Sequence, residues 1–320
     1  MVRLHTGMSI GVALPASEAG ATDNIVETLI ERTGEAAAAG LRSAWFPQIM
    51  DVDAITMAAL AGRAVPEIAV GTYVVPIYPR HPLLIGGAAQ TAQAATGGRF
   101  TLGVGLGAQN VQEPAFGVPY PPPIQNLREQ LTVLREVLAG EQVDYTGKLV
   151  TARPPLSTRV PGAQPPVPLH VAAMGPQALK VTGELADGTM PYLAGPRALG
   201  EFIVPTISAA AEGAGRPAPA VTAAVPALVT DQVSEARELA AEQLAFYDTI
   251  PSYQRVIDRE GVSRALDLAL IGDEETVAAG LRRYLDAGVT ELVLVNTGLN
   301  GEQDRLRTWR LAGELAKSFH

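Results

Sequence analysis

The sequence predicts an α/β fold closed into a (β/α)8 barrel, a TIM barrel with insertions, and three observations carry that expectation. Apolar strand-like runs alternate with amphipathic helical stretches from one end of the chain to the other. Eight such strands can be read, and strict alternation implies that they run parallel. No polar linker divides the 320 residues, so 1–320 reads as one domain.

Taken in order, the first apolar run is Met8–Leu14, followed by a helix over Asp23–Ala39. Arg42–Phe46 is the second strand and Ala54–Arg63 its helix; Ile68–Val75 is the third, leading to a helix over Leu83–Ala95. The fourth, Phe100–Leu106, follows a helix-stopping Gly97-Gly98 pair and ends in glycines spaced two apart. A helix over Ile124–Ala139 comes next. Leu169–Ala173 is the fifth strand, succeeded at once by a helix over Pro176–Ala186. Thr189–Leu193 and Val221–Val229 are the sixth and seventh, with helices Ala198–Glu212 and Ser234–Phe246. Pro226 lacks a ladder donor and predicts a kink or bulge in the seventh strand. A helix over Glu274–Ala287 precedes the last strand, Glu291–Val295, and Glu302–Lys317 follows it.

Two stretches break the pattern. Residues 140–168 are rich in Pro and Gly and too long for a simple connection, which predicts a small hairpin (Gln142–Tyr145 with Gly147–Thr151) and an extended segment. Thr249–Leu270 adds one or two short helices.

Composition excludes several chemistries. Without cysteine there is no disulfide, thiol nucleophile, thiolate zinc site or iron–sulfur cluster. A net charge of −9 argues against nucleic acid or an anionic membrane as the main partner, though backbone N–H groups can still hold an anion locally. Met1-Val2-Arg3-Leu4-His5 has no signal-peptide character and no uncharged stretch reaches membrane-spanning length, so a cytoplasmic protein is expected.

In a parallel barrel the active site lies at the C-terminal strand ends. Those ends read Trp45-Phe46-Pro47-Gln48, Gly71-Thr72-Tyr73-Val74-Val75-Pro76, Gly105-Leu106-Gly107-Ala108-Gln109, Ala172-Ala173-Met174-Gly175-Pro176-Gln177 and Tyr192-Leu193-Ala194-Gly195. Apolar, aromatic, amide and glycine groups dominate, and acids, bases and metal ligands are few. Such a lining suits a large flat molecule that brings its own chemistry. Gly105 and Gly107 at the fourth strand end and Gly175 at the fifth would let a ring or a phosphate approach bare backbone.

Here the chain resembles the luciferase-like flavin and deazaflavin oxidoreductases, and within them the actinobacterial branch that uses coenzyme F420. The similarity runs through Gly40-Leu41-Arg42-Ser43-Ala44-Trp45-Phe46, Val70–Pro76, Tyr78-Pro79-Arg80-His81-Pro82, Thr96–Gly107, and Gly175–Leu179 through Gly183–Gly188. It implies a luciferase-like TIM barrel that transfers a hydride between F420 and a small organic substrate; FMN is the alternative cofactor. It also implies a non-prolyl cis peptide at Tyr73–Val74 backing the cofactor ring, a ring flanked by Gly105 and Gly107, and a phosphate held where Met174, Gly175, Pro176 and Gln177 open a helix. Cofactor contacts are thus expected from Gln48, Thr72, Tyr73, Val74, Gly105, Gly107, Gln109 and Ala172–Gln177, with Gln48 and Tyr73 as catalytic candidates and no metal. A homodimer is implied too. The deazaflavin sugar-phosphate dehydrogenases of the family carry an acid–histidine pair and a glutamate where this chain has Gln48-Ile49 and Ala108. That departure favours reduction of an activated double bond or ring. A flavin-dependent monooxygenase and a non-catalytic cofactor-binding barrel are the competing readings.

Several other residues have plainer roles. Gly103–Ala108 matches the loose dinucleotide pattern, but Gln109–Pro123, full of Pro and Gly, is not the helix that pattern requires. Asp53 reads as a helix cap rather than half of a metal site with Asp51. His81 reads as a capping or surface group, and His5 and His320 say little. His170 is either a satisfied core residue or points into the barrel. Trp45, Tyr73 and Tyr192 fit packing and ligand contact equally well, and Arg80 could meet substrate, solvent or a partner subunit.

Overall fold

The computed structural model describes residues 9–318; Met8, which the first expected strand includes, His5 and His320 lie outside them. In chain order the elements are β1 (Ser9–Ala13), α1 (Ile25–Ala38), β2 (Ser43–Phe46), α2 (Ala54–Ala64), β3 (Ala69–Thr72), β4 (Val75–Pro76) and α3 (Pro82–Ala95). Then come β5 (Phe100–Gly105), α4 (Gln109–Phe116), α5 (Pro123–Ala139), β6 (Tyr145–Thr146), β7 (Thr151–Ala152), β8 (Leu169–Val171), α6 (Pro176–Leu185) and β9 (Gly188–Thr189). The rest are α7 (Pro196–Ala198), α8 (Val204–Gly213), β10 (Ala220–Val229), α9 (Val233–Leu244), α10 (Pro251–Glu260), β11 (Leu270–Gly272), α11 (Glu274–Asp286), β12 (Glu291–Val295) and α12 (Glu302–Lys317).

These elements cluster in two compact units. Among the described residues, one comprises 9–45, Met190–Thr206 and 220–318; the other comprises Phe46–Thr189 and Ile207–Pro219. In the first, β11, β10, β12, β1 and β2 lie in that order and pair in parallel. Its core includes Ile10, Leu292, Val293 and the fully buried Trp309. Within it Trp45 Nε1 donates to Ser43 Oγ at 2.9 Å and to Glu291 Oε1 at 3.1 Å, and Ser43 donates to the same carboxylate. Burial pushes the Glu291 carboxyl up, and the Ser43 and Trp45 donors oppose that. Trp45 is therefore a buried, hydrogen-bonded core residue of this unit. Tyr192 sits edge-on to Tyr247 with ring centroids 5.0 Å apart, which is a packing role.

In the second unit β3, β5, β8 and β9 follow one another in parallel, and β4 continues along β5. Asp53 caps α2, accepting from Thr56 N, and His81 caps α3 through Nδ1. The long 140–168 connection is tied down by buried amides and one carboxylate. Gln90 and Gln93 of α3 bond the extended segment at Thr158, Val160 and Pro165. Glu129 of α5 accepts from the backbone N–H groups of Lys148, Leu149 and Val150. Burial alone would raise that carboxyl, but these donors and Gln125 hold it below the usual range.

Several expectations are corrected. The third strand is two pieces, β3 and β4, interrupted at Tyr73–Val74. The sixth shrinks to Gly188–Thr189, because the chain leaves the ladder at Met190 and returns only as a Tyr192–Ala224 bridge. Pro226 causes no break: β10 is continuous and Pro226 is its last residue paired with β12 before Ala227 pairs with β11. The missing N–H thus falls where the strand changes partner. The three-residue β11 was not expected at all. No helix among the described residues is long and apolar enough to cross a membrane.

Candidate functional site

All thirteen residues expected to hold a cofactor fall in the second unit: Gln48 just after β2, and the rest at the C-terminal ends of β3, β5 and β8 and on the segments that follow. The Tyr73–Val74 peptide is cis. Tyr73 N donates to Phe46 O at 2.9 Å, and Ile77 N to Gly105 O at 2.9 Å, so the irregular segment is pinned on both sides.

Thr72 is fully buried, and its hydroxyl accepts from Gly103 N and donates to Gly103 O. One donor and one acceptor position of the hydroxyl thus bridge the strands where the ladder lapses, which makes Thr72 a support of this strand end. Gly105 is also not bare. A Cβ there would fall 2.8 Å from Val74 Cγ2 and 3.4 Å from Ala172 Cβ. The glycine lets Val74 and Ala172 close over the strand end, so an apolar floor of two side chains replaces the exposed backbone foreseen from sequence. Gly107 has φ +74° and turns against the Gln112 side chain, 2.9 Å from where its Cβ would stand. Directly after it α4 begins, a helix where a loop had been expected; it ends at Gly117 with φ +65° after eight residues. Tyr120 donates to the carbonyls of Leu106 and Gly107 at 2.8 and 2.9 Å, fastening this end of β5.

Gln48 lines a cavity, but its amide is largely engaged in its own loop. Oε1 accepts from Ala54 N at 2.9 Å and Nε2 donates to Val52 O at 3.1 Å. Gln109 pairs with Glu113 at 3.1 Å on the exposed face of α4. Ala173 is buried and its carbonyl accepts from Thr189.

The opening of α6 behaves differently. Gly175 is its N-cap, no side chain caps it, and Pro176 occupies the first turn. A Cβ on Gly175 would meet nothing within 4 Å. Met174 and Gly175 are half-buried, whereas Pro176 and Gln177 are exposed. This is an uncapped helix start facing open space, a place where N–H groups can hold an anion without a lysine.

His170 lies on β8 opposite Gly103 and is buried. Burial lowers its pKa to about 4, against a smaller opposing pull from Asp187. It is a neutral core histidine at physiological pH. Arg80 reaches Asp53 with both terminal nitrogens at 3.2 Å. That carboxyl is lowered overall: desolvation raises it, while Thr56 and Arg80 more than compensate. Sequence reasoning passed over Gln112, Tyr120 and Glu129, whose partners are remote or absent and leave no local pattern.

Residues 8–291 match the family described as luciferase-like monooxygenase, and the chain belongs to that family. A Mycobacterium tuberculosis protein is 27% identical over 217 residues, spanning 63% of this chain, and the chain spans 63% of that relative's length. The 5,10-methylenetetrahydromethanopterin reductase of Methanolobus tindarius is 28% identical over 255 residues, covering 71% of this chain and 77% of the reductase. Among solved structures, the coenzyme F420-dependent tetrahydromethanopterin reductase of Methanopyrus kandleri superposes with a TM-score of 0.80 at 23% identity, covering 98% of this chain and 100% of that one. The fold is accordingly a (β/α)8 barrel, as the strand count had predicted, of the luciferase-like kind that the resemblance implied.

Proposed function

We propose that this chain is an oxidoreductase that binds coenzyme F420 and works on a small organic substrate as a cytoplasmic homodimer. The observation that carries the reading is the pairing, within one unit, of an apolar floor with an open helix start. Val74 and Ala172 over Gly105 suit the face of a flat ring, and the uncapped α6 opening at Gly175 suits a phosphate. Bound there, the deazaflavin would supply hydride transfer.

The chain's own residues position rather than react. Val74 and Ala172 would support the ring, with Tyr73 and Thr72 fixing the segment from which Val74 projects. Met174, Gly175 and Gln177 would receive the phosphate. Gln48 serves as a wall whose amide holds residues 48–54 in shape, and Gln109 as a rim residue. Since Ala108 and Gln48 offer no acid or base, reduction of an activated double bond or ring fits best, with the proton drawn from solvent. Leu60 on α2 and Leu84 on α3, 44% and 74% exposed, are apolar groups a second copy would cover.

The family's monooxygenase description favours FMN as the second reading. Titrating purified protein with F420 and with FMN, followed by fluorescence, separates the two. Tight F420 binding with turnover of reduced F420 on activated alkenes or imines supports the proposal. Binding of FMN alone sinks it, and binding without turnover on any acceptor leaves only a cofactor-holding barrel.

A further inference from the structure

A cavity of about 340 Å³ opens between residues 48–53, residues 76–80 and α4. Pro76 lines it and pairs in register with Gly105, so it adjoins the Val74–Ala172 floor. One nearly buried amide reaches it. Gln112 of α4 lines the cavity at 7% exposure, and the two ends of its amide differ. Oε1 is sealed within the protein, so the end left to the cavity is the Nε2 donor, from which none of the described residues accepts. Nε2 lies 3.3 Å from where a Cβ of Gly107 would stand, so the glycine after β5 leaves the donor uncovered. The rest of the wall is apolar or negative. Ile49, Met50 and Phe116 line it with 52%, 55% and 46% of their surface exposed. Arg80, the one cation among the lining residues, is already matched by Asp53, and Asp51 leaves the wall with a negative excess.

We propose that this cavity recognises an uncharged, mostly apolar compound through a carbonyl oxygen that accepts from Gln112 Nε2. Calling that compound the substrate rests on the oxidoreductase reading above; its chemical class rests on the cavity alone. A nearly buried N–H without an acceptor is costly, and a ligand oxygen would satisfy it. Covering Ile49, Met50 and Phe116 favours an apolar body. A carboxylate also offers oxygens, but it would find no unmatched cation and would face Asp51 and Asp53.

Four probes share a phenyl ring and a double bond and differ at the far end. Methyl trans-cinnamate and trans-cinnamamide carry the carbonyl, trans-β-methylstyrene carries none, and trans-cinnamate is an anion. Ligand-observed NMR titrations of the wild-type protein should place ester and amide within about two-fold of each other. Each should bind about five-fold tighter than the hydrocarbon, the worth of one hydrogen bond, and cinnamate should bind more weakly than the ester. Gln112→Leu should bring ester and amide to the level of the hydrocarbon and leave the hydrocarbon within about two-fold. Should that variant fail to fold, the wild-type ranking still decides, and Phe116→Ala, at an exposed rim position, should weaken all four together. The hydrocarbon matching the ester, the amide well ahead of the ester, cinnamate binding tightest, or no ester binding at millimolar concentration overturns the proposal. An F420 titration of the same preparation keeps the two claims apart. Carbonyl preference without F420 binding upholds the pocket and defeats the oxidoreductase reading; F420 binding without carbonyl preference does the reverse.

Discussion

Val74 lies directly over Gly105: the space a Cβ would need on the glycine is taken by Val74 Cγ2, 2.8 Å away. The contact joins the residue after the cis peptide to the strand end beside it, and no other residue type at 105 leaves Val74 where it is. Gly105→Ala should cost about 1–3 kcal/mol from overpacking, read as a lower midpoint in urea. It should also weaken F420 binding several-fold, because Val74 must lift from the floor. A variant of unchanged stability and affinity would mean that Val74 has room to move.

The α6 opening gives a sharper test of the phosphate assignment. Gly175 has φ −89° and ψ 154°, an extended conformation that any residue adopts, and its open side accepts a side chain. Gly175→Asp supplies a helix cap, so thermal stability should hold or rise slightly. The added carboxylate would occupy the N–H groups and repel a phosphate. F420 affinity should drop at least about ten-fold, 1.4 kcal/mol or more. The deazaflavin chromophore lacking its phosphate tail should bind as before. Equal losses for both ligands would remove the phosphate from this helix.

How much of this was legible beforehand depended on how local each determinant is. Asp53 and His81 announce themselves, since a capping side chain and the helix it caps are adjacent in sequence. The irregular strand end at Tyr73–Val74 was legible only through family resemblance, as nothing in the residue types demands it. The Thr72 hydroxyl left no local signal, because its partner, Gly103, lies 31 residues away. The glycine at 105 was read as a close-approach position, and in the structure the side chain that approaches it is Val74. Glu129 carries no local signal on its helix. Its partners, Lys148, Leu149 and Val150, are 19 to 21 residues on and bond through backbone that any sequence has. β11 is three residues long, below the length at which alternation can be recognised.

His170 predicts a proton-linked loss of stability. Its folded pKa, about 4, lies below the ordinary value of 6.5, so the unfolded chain binds a proton in that interval and the folded chain does not. The stabilisation from keeping this histidine neutral is complete above pH 6.5 and is lost as pH falls toward 4, amounting to about 3 kcal/mol. Urea midpoints measured from pH 7 to 4 should fall with this slope in the wild type. His170→Gln should remove close to one proton from the slope across that window. An unchanged slope would place the titration elsewhere.

Asp53 predicts a change of ligand charge preference in the cavity. Its carboxylate does two things at once: it caps α2 through Thr56 and neutralises Arg80. Asparagine caps about as well as aspartate, so Asp53→Asn should alter stability by less than about 1 kcal/mol; the ion pair it deletes is half-exposed and contributes little. What changes is the cavity. Arg80 loses its partner and becomes an unmatched cation beside Asp51, and the wall moves from net negative to neutral. Cinnamate should then bind at least about three-fold tighter than to the wild type, with the gain shrinking as salt rises, while cinnamamide is unaffected. If cinnamate gains nothing, Arg80 does not face the ligand, and the exclusion of anions must come from Asp51 or from the apolar rim instead.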